Sequence, residues 1–447
     1  MRGILEKHAL PQPHLQYKTK DEVVYCEHHL PLGMHKRDIF CSVNKALSSA
    51  GTSTVSKATL YRLWRREFRH FKTPVKQRMS KCKICDEMKN AIETATDIKV
   101  RGRYIAMRNR HLCHVFDSRK LYSYWKEESR SSPEQSLCLI IDGMDQNTTT
   151  LPHFKRTPPR LEGNRFLKTH VCGVLVHGFK LFCDVWIDTL HLHDSNQVAT
   201  SIMRAIRNVH LSRGKLPPIL RIQADNCWRE NKNKFIFGLC SMLVAQNIFQ
   251  TVEMGFLMVG HTHEDIDQVF SVISRELKSR YVLTMPDMIK RIGQKIGGGR
   301  TESSEVHLLE RMVDWKRFIE PYIVRGNEGL ERHTNPHYFR FQMFNGQSTM
   351  QWKYYSVDGE DTWSEPFNLL QSMPSRDEPL FLAPTKELEV EEVKGLRAFH
   401  EYGQYMCEKY PEYREQNSIF VLETTKLLEY LAKQNNLPVS TYNQSDF

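Results

Sequence analysis

The sequence predicts an α/β protein: a mixed sheet with flanking helices, a helical region before it, and a small β module and helical tail after it. Three observations carry this. Short apolar runs stop abruptly on acids, as in Leu137–Ile141 before Asp142 and Ile219–Ala224 before Asp225. Segments with helical spacing alternate with them, Phe235, Phe237, Leu239 and Leu243 being one such face. A further apolar run, Val252 to Val259, is followed by helical spacing from Val269 to Leu277. Strand, hairpin, helix, strand, helix, strand, helix is the order of a sheet covered by helices.

The chain has 447 residues, too many for one compact core. Its hydrophobic content of 40% and charged content of 26% are ordinary for a globular protein. A net charge of +11 favours a polyanionic partner. Eleven cysteines without a paired framework, behind an N-terminus with no apolar targeting core, predict an intracellular protein whose clustered cysteines bind metal. No apolar run approaches membrane-spanning length.

Taken in order, residues 1–33 read as an irregular arm and 34–77 as a helix-turn-helix-like segment. In the latter, Ile39, Phe40, Val43 and Leu47 share one helical face. Gly51 breaks the pattern, and Ser56 caps a second helix with Leu60, Leu63, Trp64 and Phe68 inward. Between His35 and Lys81 there are twelve Lys or Arg against two acids, counted along the chain. Arg62, Arg65, Arg66 and Arg69 are placed to meet DNA phosphates or base edges; a solvated basic helix is the plainer alternative.

Residues 78–132 form a second helical segment that opens on Cys82-x-x-Cys85 and later carries His111, Cys113 and His114. Thiolate and imidazole suit Zn²⁺, so Cys82, Cys85, His111 and His114 are expected to hold one structural zinc ion, the two cysteines being the firmer ligands. The polar stretch 127–136 with Pro133 marks a boundary. The core is expected over 133–290, a helical extension over 291–330, a small β module over 331–385, and an acidic and helical tail over 386–447.

LIIDGMDQN, IQADNCWRENKN and VGHTHEDIDQVFS, in that order, resemble the motifs of transposon-derived proteins with a DDE/D transposase or integrase-like core. Cys-x-x-Cys, a later His, and Arg119-x-x-Tyr122 add to the likeness, which spans roughly residues 78–385. The resemblance implies an RNase H-like fold and metal-dependent DNA strand cleavage and transfer by a polynucleotidyl transferase or nuclease. It further implies DNA as partner, a homo-oligomer on DNA ends, and a nuclear setting. Asp142, Asp225 and Asp267 would hold two Mg²⁺ or Mn²⁺ ions, since hard cations take oxygen ligands.

The third acid is open between Asp267 and Glu264, because Asp265 can serve a helix cap made by Thr262. The family prefers Glu at this place, whereas Ile266-Asp267-Gln268 gives Asp. Asp145 is a fallback for the first acid. Asn226, His261 and His263 are expected around the site, with Arg229 and Lys232 as phosphate contacts. Two other functions compete. A domesticated copy would bind DNA without catalysis, and His261-x-His263-x-Asp265 opens a dinuclear-zinc hydrolase motif that Ile266 fails to continue.

Overall fold

A computed structural model describes residues 1–18, 24–30, 34–73, 82–188, 191–261, 265–297, 302–324, 335–356, 362–375, 378–385, 389–409 and 441–442. Glu264 and His263 lie outside the described residues. The chain divides into two compact units. One comprises residues 1–124 with 257–268 and 355–362; the other comprises 125–256, 269–354 and 363–447.

The N-terminal unit begins with helix α1 (Arg2–His8) and strands β1 (Leu10–Lys18) and β2 (Val24–His29), which pair antiparallel. The expected irregular arm is therefore a helix and a hairpin. Its few apolar residues hid this, Leu5 and Leu30 being almost fully buried in a shared cluster. Helix α2 (Lys36–Ser49) starts on a capping box, in which the Asp38 carboxylate accepts from the His35 N–H at 2.7 Å. Helix α3 (Lys57–Glu67) starts at Ser56, whose hydroxyl accepts from the Thr59 N–H at 3.1 Å. The connection is pinned by Asn44, which donates to the Val55 carbonyl at 3.0 Å and accepts its N–H at 2.9 Å. Ile39, Val43, Leu60, Trp64 and Phe68 make one core with Phe71 of β3 (Phe71–Lys72). Helices α4 (Lys83–Thr94) and α5 (Ile98–Ser131) follow.

The second unit is built on an eight-stranded mixed sheet. Its strands are β4 (Ser136–Gly143), β5 (Thr169–Val176), β6 (Lys180–Ile187), β7 (Ile219–Ala224), β8 (Thr251–Phe256), β9 (Ser303–Leu308), β10 (Tyr338–Phe344) and β11 (Gln347–Lys353). They lie in the order β11-β10-β8-β7-β4-β5-β6-β9. β4, β5 and β6 form an antiparallel meander, while β7 is parallel to β4 and β8 parallel to β7. The crossovers carry α6 (Ser195–Arg213) and α7 (Lys234–Ala245), and α8 (Asp265–Lys278) and α9 (Met285–Ile296) follow β8.

Residues Ile236 to Val244 of α7 are buried without a break, so this apolar helix is interior to its unit. At Gly238 a methyl group would meet the Ile319 side chain at 2.6 Å, the close approach of α10 (Trp315–Ile319). No helix among the described residues is long and apolar enough to cross a membrane.

Two expectations are corrected here. Residues 331–385 are no separate β module, since β10 pairs with β8 and carries β11 at the sheet edge. The stretch read as helical after Gly297–Gly299 contains β9, which pairs parallel with β6 at the other edge. β10 and β11 are the antiparallel strands expected there, but they join the main sheet; at β9, backbone pairing at an open edge made a strand of a segment whose own pattern was weak.

Candidate metal centre and carboxylate edge

In the N-terminal unit, Cys82 stands at the N-cap of α4 and Cys85 in its first turn, so that three-residue spacing puts both on one face. On α5, His111, Val115, Arg119 and Tyr122 recur every three or four residues and so share a face. The segment 257–268 supplies His261. One ligand atom from each of Cys82, Cys85, His111 and His261 lies within 4.8 Å of every other. Cys82 Sγ is 3.4 Å from His111 Nε2, Cys85 Sγ is 3.4 Å from His261 Nε2, and the two Nε2 atoms are 3.3 Å apart.

Tetrahedral bonds of about 2.3 Å to sulfur and about 2.0–2.1 Å to nitrogen would set S···N edges near 3.6 Å and N···N edges near 3.3 Å. The four residues could hold a metal ion. Burial and the neighbouring Cys82 push the Cys85 thiol up to about 12, and burial lowers His111, which keeps its imidazole neutral. A bound cation reverses the thiol's preference, because it takes the thiolate.

The centre has supports in the same unit. Arg119 Nη2 donates to the His261 carbonyl at 3.0 Å, and the Tyr122 hydroxyl donates to Asp265 Oδ1 at 3.0 Å. Gly260 has φ +80°, and a methyl group there would meet Cys82 Cα at 2.5 Å. His114, the expected fourth ligand, instead stacks on Tyr355 with ring centroids 3.7 Å apart. It lies three residues past His111. His261 was expected beside the acids, and it takes the fourth corner instead. Of the dinuclear-zinc motif, His261 thus faces two cysteines and Asp265 is engaged by Tyr122.

The second unit holds the acids. Register pairs Ile141 of β4 with Ala224 of β7, so Asp142 and Asp225 come next on neighbouring parallel strands and share a face of the sheet. Both residues are half-buried. The Asp142 carboxylate accepts from the Gly143 N–H at 2.8 Å. Asp225 Oδ1 accepts from the Cys227 N–H at 3.1 Å and from the Asn231 side chain. Asn226 Oδ1 accepts from Lys232 Nζ at 3.1 Å.

Lys232 is fully buried, with its ammonium 4.9 Å from the Phe256 ring centroid, and burial lowers it to about 8. It is therefore no phosphate contact, whereas Arg229 is exposed. Asp145 caps a short 3₁₀ turn through the Asn147 N–H at 3.1 Å. Asp267 sits in the first turn of α8, within the 257–268 segment that groups with the N-terminal unit.

Two residues at this edge escaped the sequence reading. Glu230 is pushed up to about 7, first by burial and then by the Asp225 carboxylate. His193, 3.5 Å from Glu230, is lowered to about 4 by burial and by His170. The His193 ring lies 2.7 Å from where a methyl group on Gly143 would be, so that glycine makes room for it beside Asp142. The Asn-rich loop after Asp225 and the His191-x-His193-Asp194 stretch were the available signals.

The arginines expected at the DNA distribute unevenly. Arg62, Arg65 and Arg66 are exposed on α3, while Arg69 is exposed in the turn beyond its end.

A family model described as Domain of unknown function (DUF7869) matches residues 159–358, a stretch that includes Asp225, Glu230 and His261. No curated protein and no solved structure matches the chain.

Proposed function

We propose that this chain is a transposase- or integrase-like protein that cuts and joins DNA strands at the carboxylate edge and uses the Cys/His centre as a structural zinc site. The observation that carries the reading is the placement of Asp142 and Asp225 at consecutive ends of adjacent parallel strands. A three-stranded meander followed by helix, strand, helix, strand and helix supports an RNase H-like core. Two Mg²⁺ or Mn²⁺ ions held there would activate the attacking hydroxyl and stabilise the leaving oxygen.

The residues contribute as follows. Asp142 and Asp225 supply oxygen ligands, and the Cys227 N–H and Asn231 fix the Asp225 carboxylate in one orientation. The resemblance to transposase-like proteins implies a third acid, Asp267 or Glu264. The exposed Arg62, Arg65 and Arg66 hold duplex DNA through its phosphates, with Arg69 at the helix end. The thiolate pair and two imidazoles of the other centre select zinc over the hard ions. Work on DNA ends implies a nuclear protein that acts as a homo-oligomer.

Incubation with labelled DNA ends and Mg²⁺ or Mn²⁺ tests the reading. Wild type should give cut or joined products, and Asp225→Ala should slow their formation by roughly 10²–10³-fold. Products that persist undiminished in Asp225→Ala, or that never form with either ion, would sink it.

A further inference from the structure

Trp228 lies in the loop between β7 and α7, three residues beyond Asp225, and is 64% exposed. All seven tryptophans fall among the described residues, and the other six are buried or half-buried. Exposing an indole forgoes the burial of a large apolar surface.

Its loop is held from several sides. The Cys227 carbonyl accepts from the N–H groups of Glu230, Asn231 and Lys232 at 3.3, 2.8 and 3.1 Å. Asn233 Nδ2 donates to the Trp228 carbonyl at 3.0 Å, and the Ser195 hydroxyl donates to the Arg229 carbonyl at 3.0 Å. The backbone on both sides of the ring is therefore fixed. Arg229 is exposed next to it, its guanidinium 5.9 Å from the ring centroid. Its neighbours along the loop, Asn226, Cys227, Arg229, Glu230 and Asn231, include no other large apolar side chain.

We infer that Trp228 is a stacking platform for an unpaired nucleobase, with Arg229 on the adjoining phosphate, which makes single-stranded or frayed DNA the substrate class of this edge. The inference rests on the DNA-processing reading above. An aromatic face stacks on any base, but bases inside a duplex have both faces covered by their neighbours. A platform next to Asp225 thus favours a strand that has already left the helix. Arg229 adds the charge that a lone indole lacks.

The test uses the full chain without chelator and without added Mg²⁺ or Mn²⁺, so that no strand is cut while the zinc centre is left intact, with fluorescent single-stranded and duplex oligonucleotides read by anisotropy. Trp228→Ala should weaken single-strand binding by roughly 5- to 100-fold and leave duplex binding unchanged. Trp228→Phe, which keeps an aromatic face, should retain most of it. Unchanged single-strand binding in Trp228→Ala overturns the inference, and so does an equal loss in Trp228→Ala and Trp228→Phe. A wild type that binds duplex but no single strand overturns it while leaving the DNA-processing reading intact. One that binds neither overturns both.

Discussion

The Cys/His centre and the carboxylate edge are assembled in opposite ways. At the centre, ligand atoms of four residues from α4, α5 and the segment before α8 lie within 4.8 Å of one another, and three of their separations are 3.3–3.4 Å. At the edge, Asp142 and Asp225 are brought together by strand register alone and stay half-open to water. The first arrangement is closed and suits a structural ion. The second keeps its acids partly exposed, as chemistry on a large substrate requires. Burial acts on both: it raises the Cys85 thiol at one and the Glu230 carboxyl at the other.

The contrast is broken most directly at the centre. Purified protein should carry one zinc per chain, and Cys85→Ser or His261→Ala should lose it, whereas His114→Ala should keep it. Structural zinc in small domains contributes about 10–16 kcal/mol of apparent binding energy, so this is the largest effect expected. Metal content by emission spectroscopy decides, and zinc lost from His114→Ala but kept in His261→Ala would reverse the assignment.

Next is Gly260→Ala. Its positive φ and the 2.5 Å approach to Cys82 predict a loss on the order of 2–3 kcal/mol in urea unfolding, with weaker zinc retention. A wild-type midpoint would mean that the loop does not approach so closely.

Glu230→Gln sharpens the other side. The Glu230 carboxyl titrates near 7 when folded and near its ordinary 4.5 when unfolded. Between those values the folded chain holds a proton that the unfolded chain has released, so wild-type stability declines as pH rises from 4.5 to 7. The variant should therefore be more stable at pH 8 by about 1–2 kcal/mol, after allowance for solvent screening, and equal near pH 4. Thermal melts at the two pH values read this out, and a pH-independent difference would remove the cause given.

The smallest effect belongs to α3. Arg62→Ala with Arg66→Ala should weaken duplex binding and flatten its salt dependence by about 0.9 in log–log slope for each phosphate no longer neutralised. Arg66 is already engaged by Glu67 at 2.7 Å, so Arg62 should account for more of the change. Binding that ignores both salt and the substitutions removes α3 from the interface.

The two regions also differ in how far the sequence disclosed them. An apolar run that ends on an acid is a local signal, and the run and the acid are enough to place Asp142 and Asp225 at strand ends. Ser56 at the start of α3 is equally local, and the structure shows it capping Thr59. Cys82 and Cys85 were visible for the same reason. Their partner His261 was not, because 176 residues separate it from Cys85, and local spacing favoured His114 instead. Glu230 and His193 carry no signature of their own, since their proximity to the acids follows from how the loops after β6 and β7 pack. Nor could aromatic alternation in β10 and β11 reveal that they extend the main sheet. That depends on pairing between Phe341 and Val252, far apart in sequence.

The long separation of His261 from its partners also has a consequence in time. During synthesis Cys82, Cys85 and His111 emerge together, but 150 residues ahead of His261. At about 5–20 residues per second, two thiols and one imidazole wait roughly 8–30 s for their fourth companion. A metal ion taken up in that interval would find three of the four donors. The N-terminal unit also takes in residues 355–362, so it cannot be completed until the ribosome has passed β11, and its assembly follows the synthesis of the whole sheet.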